Sequence, residues 1–206
     1  VKLYKYPRTF HVPWSEGCTS DDKRLENMDS FKGKQVAVTE KMDGENANIY
    51  SNYFHARSLD GRHHQSQAYA KHIASKIGYL LGDLRVCGEN MYAKHSIEYS
   101  NLEDYFLAFS IWDGTRCLSW KEYITTIRIL NLSTVPNLYQ GIYDEKKIKT
   151  LFKDDGKSEG YVIRVMDSFE LNDFSKSVAK FVRKNHVKTD NHWKNQEIIK
   201  NKRSYD

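Results

Sequence analysis

The sequence predicts an α+β fold built on mainly antiparallel sheets flanked by helices. Six short runs are rich in β-branched and aromatic residues, three segments read as helices, and the two kinds do not alternate regularly. A chain without βαβ alternation favours hairpin-linked strands over a doubly wound parallel sheet.

The predicted strands are Gln35–Thr39, Ala47–Tyr53, Leu84–Glu89, Tyr105–Trp112, Gly160–Val165 and Val178–Arg183. Between them, Gln67–Leu81 reads as a helix, because Ile73, Ile77, Leu80 and Leu81 recur at helical spacing and Gly82 supplies a stop. Trp120–Leu132 and Asp144–Phe152 read as further helices. No repeat, low-complexity segment or interdomain linker interrupts them, so residues 1–206 are expected to form a single domain.

Composition narrows the function. The chain is 39% hydrophobic with 14 Tyr, 9 Phe and 4 Trp, enough for a core with aromatics left for stacking on a ligand. Only 3 Pro and 11 Gly argue against long disordered linkers. No apolar run approaches the roughly 20 residues of a membrane span and no signal peptide is visible, so the expectation is a soluble, cytoplasmic or otherwise intracellular protein. Cys18, Cys87 and Cys117 lack CxxC spacing, which indicates neither a disulfide framework nor a cysteine-rich zinc site. The adjacent His63 and His64 read as a surface loop, and His11, His186 and His192 as candidate contacts to RNA or pyrophosphate. None of these histidines has zinc-ligand spacing. Net charge is +5, and from Ser175 to Asp206 nine Lys/Arg face three Asp/Glu, with His186, His192 and Trp193 interleaved. Such a basic tail over 185–206 suits either a nucleic-acid backbone or a solvated charged surface.

The densest chemistry lies in Thr39-Glu40-Lys41-Met42-Asp43-Gly44-Glu45-Asn46, where a strand is expected to end and turn tightly at Gly44. A lysine amine attacks phosphorus only when deprotonated, and desolvation or nearby positive charge lowers its pKa toward neutrality. Asp43 could hold a hydrated metal beside the reacting phosphate. Taken alone, Lys-x-Asp-Gly also describes an ordinary charged turn.

Five further segments follow in order: His55-Ala56-Arg57-Ser58, Cys87-Gly88-Glu89-Asn90, Phe106–Asp113, Glu159-Gly160-Tyr161-Val162-Ile163-Arg164 and Ala179-Lys180-Phe181-Val182-Arg183-Lys184. In this order and spacing the chain, from about Gln35 to Lys184, resembles the covalent nucleotidyltransferase superfamily of DNA ligases, RNA ligases and mRNA capping enzymes. Asn46, where DNA ligases and capping enzymes commonly carry Arg, and Glu40 before the lysine resemble the RNA ligase 2 branch. Tyr6–Ser15 and His186–Trp193 look like segments of small phage-type RNA ligases, which would place a phage- or virus-encoded enzyme in a host cytoplasm.

That resemblance implies a nucleotidyltransferase fold, similar to ATP-grasp, with the nucleotide pocket between sheets. It implies an ATP-dependent RNA ligase joining RNA 5′-phosphate and 3′-hydroxyl ends, with ATP as AMP donor and Mg2+ or Mn2+ required. Lys41 would be the nucleophile, and Glu40 would accept a hydrogen bond from the adenine amino group. Asn46 would be part of the nucleotide site, and Phe109, with Phe106 as the alternative, would stack on the purine. Arg57 would contact phosphate or ribose, and Glu89 the ribose or a hydrated metal. Glu159 would hold metal together with Asp43, and Lys180 would bind the α-phosphate. The family's last motif commonly has two lysines one residue apart. Val182 stands at the second place here, so Arg183 or Lys184 would supply that cation, and strand alternation favours Lys184. Ser110 stands where the family often has Asp. The short stretch after Lys184 implies a minimal catalytic domain without an appended OB or helical domain. Its basic tail would dock RNA, so removing the residues after Lys188 is expected to weaken sealing more than self-adenylylation. The rival expectations are a DNA or mixed-strand nick ligase and a non-catalytic RNA-binding domain.

Overall fold

A computed structural model describes residues 2–59, 63–184, 186 and 197–206. Two mainly antiparallel sheets pack against each other. The strands are β1 (Phe10–His11), β2 (Gln35–Lys41), β3 (Glu45–Ile49), β4 (Phe54–Ala56), β5 (Leu84–Asn90), β6 (Phe106–Asp113), β7 (Arg116–Cys117), β8 (Ser133–Thr134), β9 (Asn137–Ile142), β10 (Gly160–Val165), β11 (Phe169–Glu170) and β12 (Val178–Val182). The first sheet runs β1-β12-β10-β2-β9, and the second runs β11-β7-β6-β5-β3-β4 with β8 beside β6. Among the strands of the described residues, only β1–β12 and β6–β8 pair in parallel. One core cluster joins the sheets through Val36, Val38 and Ile163 on one side and Cys87 and Trp112 on the other.

The α-helices of the described residues are α1 (Ala68–Leu81), α2 (Trp120–Ile129), α3 (Glu145–Lys149) and α4 (Phe174–Ser177), with three short 3-10 turns besides. Both α1 and α2 bury an apolar stripe in a second cluster, Ile73, Ile77 and Leu81 from one and Tyr123 and Ile127 from the other. Gly82, at φ 55°, stops α1 as its sequence predicts. Ser119 starts α2 with a capping box, its hydroxyl accepting from Glu122 N while the Glu122 carboxylate accepts from Ser119 N, an arrangement worth about 1 kcal/mol.

The differences from the sequence expectation have local causes. Ala47–Tyr53 does not run as one strand: β3 stops at Ile49, Tyr50 N donates to Tyr53 O across a turn, and β4 returns. The helix expected over Asp144–Phe152 shrinks to Glu145–Lys149, with the Asp144 side chain capping it. β9 has no counterpart in the expectation, because its Asn-Leu-Tyr-Gln-Gly-Ile run is an edge strand with no fully buried residue. No helix among the described residues is long and apolar enough to cross a membrane.

Candidate active site

Lys41 ends β2 in the first sheet, and Glu45 opens β3 in the second. The Lys-x-Asp-Gly stretch is therefore the crossover between sheets rather than a hairpin, and its residues sit at the seam. Gly44 is required for close approach, not for an unusual φ: a Cβ there would lie 2.6 Å from Asn90 O and 2.7 Å from Met91 Sδ. β10 pairs antiparallel with β2 so that Gly160 faces Lys41. That register delivers Glu159, one residue earlier, to the lysine, with Lys41 Nζ 2.6 Å from Glu159 Oε2. A Cβ at Gly160 would collide with the Phe181 carbonyl, so β12 can close over β10 only at a glycine. β12 in turn carries Lys180, opposite Val162.

Asp43 is held by a loop with no sequence signal of its own. Its Oδ2 accepts from Ser96 N (2.8 Å), Ser96 Oγ (2.6 Å) and Ile97 N (2.8 Å), while Asp43 N donates to Tyr99 Oη (3.1 Å). Burial pushes this carboxyl up, but the bonds from His186, Ser96 and Ile97 outweigh it and hold Asp43 well below the usual carboxylate range. Asn201 fixes the same loop from behind, its Nδ2 donating to Met91 O (2.8 Å) and its Oδ1 accepting from Tyr99 N (2.9 Å).

Glu89 on β5 is the cross-strand partner of Asn46 on β3, which brings two expected nucleotide-site residues together. Burial, with Glu159 and Asp43 nearby, pushes the Glu89 carboxyl up to about 8 despite the pull of Lys41. Lys41 shows the converse. Burial alone would lower its pKa, but Glu159, Glu89 and Asp43 raise it, so the amine is held charged. The raised Glu89 pKa has a stability consequence. As pH climbs, the unfolded carboxyl loses its proton near 4.3 while the folded one keeps it to about 8, so folding stability falls across that window and is unaffected below it. Glu89→Gln is expected to flatten this fall. Thermal melts of both proteins at about pH 5 and about pH 8, without metal, would read it, and parallel pH slopes would contradict the placement.

The remaining expected residues separate. Phe109 is the extra residue of a β-bulge, since Cys87 pairs with Ser110 and Gly88 with Ala108, leaving it opposite no partner. Bulges re-aim side chains beside functional sites, and Phe109 stays partly exposed, edge-on to Tyr6 at 5.2 Å. The alternative stacker, Phe106, is fully buried in the core. Ser110 is buried and accepts from Trp112 Nε1, which gives it a structural task. Glu40 faces Tyr161 across the ladder, and burial raises its carboxyl against the pull of Ser158. Lys180 lies 3.8 Å from Asp22. Lys184 is exposed and lies beyond the end of β12 at Val182, so strand alternation does not reach it. Arg183 follows the strand directly, its N–H bonded to Glu159 O. Arg57 stands just past edge strand β4 and forms no ion pair among the described residues. His64 caps the turn before α1, and His63 lies 2.7 Å from Lys71. His192 and Trp193 lie outside the described residues. One participant was not expected here: His186 Nε2 lies 3.5 Å from Asp43 Oδ1 and 3.5 Å from Glu159 Oε1. The potential metal-ligating cluster among the described residues is Asp43, Glu159 and His186, without Glu89.

A lysine ringed by acids thus sits at the seam between two sheets, with a second lysine on β12 of its own sheet and a bulged phenylalanine on β6 of the other. Residues 34–182 match the RNA ligase family, and the chain belongs to it. No curated protein matches. Among solved structures, an archaeal ATP-dependent RNA ligase is similar with a TM-score of 0.60 and 18% identity, covering 88% of this chain and 48% of that one. A mutant Naegleria gruberi RNA ligase with ATP and Mn has a TM-score of 0.57 and 20% identity, covering 85% and 60%. The Naegleria gruberi RNA ligase with PPi has a TM-score of 0.57 and 21% identity, covering 88% and 61%. These likenesses support the α+β nucleotidyltransferase fold, and the chain spans about half to three-fifths of the length of these relatives.

Proposed function

We propose that residues 1–206 act as one catalytic domain of an ATP-dependent RNA ligase. The observation that carries this reading is the convergence of Lys41, Glu159, Asp43 and Glu89 at the seam of two sheets in a chain of the RNA ligase family. The Lys41 amine attacks the α-phosphorus of ATP, forming a P–N bond as the bond to pyrophosphate breaks. A 5′-phosphate oxygen of RNA then takes the AMP and frees the lysine. The 3′-hydroxyl attacks that 5′-phosphorus, loses its proton and expels AMP as the strand closes.

The chain's own groups fit these tasks. Lys41 must first lose a proton, and its acid ring opposes that loss. Once positive charge engages those acids their pull is offset, and burial then favours the neutral amine. The donor set suits a divalent cation, with Asp43 and Glu159 as the residues to hold Mg2+ or Mn2+ and Glu89 beside them for the ribose or a hydrated ion. Such an ion would supply charge neutralisation of the triphosphate. Lys180 offsets charge at the α-phosphate, helped by Arg183 or Lys184, while Phe109 supplies the stacking face, Glu40 reads the adenine amino group, and Asn46 and Arg57 contact the nucleotide.

Asn46 and Glu40 favour RNA over DNA by resemblance to the RNA ligase 2 branch. Competition between nicks with RNA and DNA 3′-hydroxyl termini, with ATP or GTP as donor, tests this. Preferential sealing of RNA with ATP is expected, whereas equal or preferred DNA sealing would support the nick-ligase alternative. The absence of any nucleotide adduct would support a non-catalytic RNA-binding domain.

A further inference from the structure

We propose that His186 is a direct metal ligand, completing with Asp43 and Glu159 a three-ligand site that favours Mn2+ over Mg2+. The inference deepens the ligase reading, because it assigns the ion of that same site one nitrogen ligand and a preference.

Each carboxylate is tied back through one oxygen and presents the other. Asp43 Oδ2 takes three hydrogen bonds from Ser96 and Ile97, and Glu159 Oε2 takes the Lys41 ammonium. The opposite oxygens, Asp43 Oδ1 and Glu159 Oε1, are the two that lie 3.5 Å from His186 Nε2. One ligand atom from each of the three residues lies within 4.8 Å of the others. An ion about 2.1 Å from each ligand in octahedral geometry would set neighbouring ligands about 3.0 Å apart and opposite ones about 4.2 Å apart. A closure of about half an ångström therefore forms the site. Rear hydrogen bonds that orient carboxylates while leaving a free oxygen are the usual outer shell of a metal centre.

The imidazole is a second observation. Its side chain is only 3% exposed, and Nδ1 is buried with no hydrogen-bond partner. The other nitrogen, Nε2, faces both outward carboxylate oxygens at 3.5 Å, a separation longer than a good hydrogen bond and wide enough for the three ligand atoms to draw in around an ion. Mg2+ keeps oxygen ligands and water, whereas imidazole suits the later divalent ions, so the mixed nitrogen and oxygen set sets the preference.

The test uses the chain with Mn2+ alone, free of nucleotide. Electron paramagnetic resonance titration should show Mn2+ bound, with pulsed spectra carrying the modulation of a directly coordinated imidazole nitrogen. His186→Ala should lose that modulation and weaken Mn2+ by at least about tenfold, with a smaller change in Mg2+ competition. His186→Asp should restore binding with the preference moved toward Mg2+. Far-ultraviolet circular dichroism checks that the variants fold, and the wild-type nitrogen signal decides the point where they do not. Mn2+ bound without nitrogen modulation, no Mn2+ binding, or unchanged affinity in a folded His186→Ala would overturn the assignment and leave His186 a structural clasp. An AMP adduct on the wild type in that case leaves the ligase reading intact. Nitrogen-coordinated Mn2+ without any adduct would uphold His186 as a ligand and overturn the ligase reading instead.

Discussion

Lys41→Ala is expected to abolish covalent nucleotide attachment, by at least about 1000-fold, while the chain keeps its fold. The expectation follows from position: Lys41 reaches the seam at the last residue of β2, 25% exposed on its side chain and paired at 2.6 Å with Glu159. No other lysine among the described residues pairs with Glu159. Lys180, on β12 two strands away in the same sheet, is drawn toward Asp22 instead. Truncating the lysine removes the cation paired with Glu159, whose own side chain is only 6% exposed, so the carboxylate left behind is destabilising. Melting temperature should therefore fall somewhat. Glu159→Gln in the same background removes the stranded charge and should recover part of that loss without restoring the adduct. A Lys41→Ala protein that still takes up label from radiolabelled ATP would place the nucleophile elsewhere.

The second large effect lies far from Lys41 in sequence. Deleting residues 197–206 is expected to abolish adenylylation as well as sealing. This segment packs against the loop that cradles Asp43. Lys94 N donates to Ile199 O, Lys202 N to Tyr99 O and Leu102 N to Lys202 O, and Arg203 stacks over Tyr105 at 4.6 Å. Asn201, 1% exposed, is the centre of the strap. Asn201→Ala leaves Met91 O and Tyr99 N without their partner, at about 1–3 kcal/mol for each buried group left unsatisfied. It should also slow adenylylation at least about tenfold, because Ser96, Ile97 and Tyr99 then hold Asp43 less firmly. Read from sequence, the tail serves sealing more than adenylylation. The structure divides that tail, since 197–206 supports the Asp43 loop, so RNA docking by the basic stretch is better tested by removing charge at Lys188 and Lys194. Single-turnover adenylylation of the deletion and of Asn201→Ala, beside wild type, separates the two ideas. Normal adenylylation with defective sealing would contradict the strap.

Much of the fold was legible because its central strands are strongly β-branched and long. Gly160–Val165 appears with the expected bounds, and β2, β5 and β6 differ by at most two residues at either end. What could not be read is pairing between distant segments. The register that sets Gly160 against Lys41 joins residues more than a hundred positions apart, and hydrophobic periodicity carries no such information. Gly44 was legible as necessary but for another reason: the sequence suggests a tight turn, whereas the neighbouring β5 end leaves no room for a side chain. The Phe109 bulge was equally hidden, since strict alternation would point Phe109 by parity, and only the mismatch of Cys87–Ser110 and Gly88–Ala108 singles it out. Ser96 and Tyr99 sit in a loop whose residue types announce nothing. His186 stood out as a histidine in a basic segment, but its closeness to Asp43 and Glu159 depends on how the chain returns after β12.

In the proposed reaction Lys41 becomes covalently joined to AMP and passes that AMP to RNA. The most direct measurement incubates the wild-type chain with ATP and Mn2+, locates the modified peptide by mass spectrometry, and then adds a 5′-phosphorylated RNA nick. One AMP on Lys41 is expected, lost on addition of RNA as the strand is sealed. AMP on any other residue, or no adduct with either ATP or GTP, would contradict it.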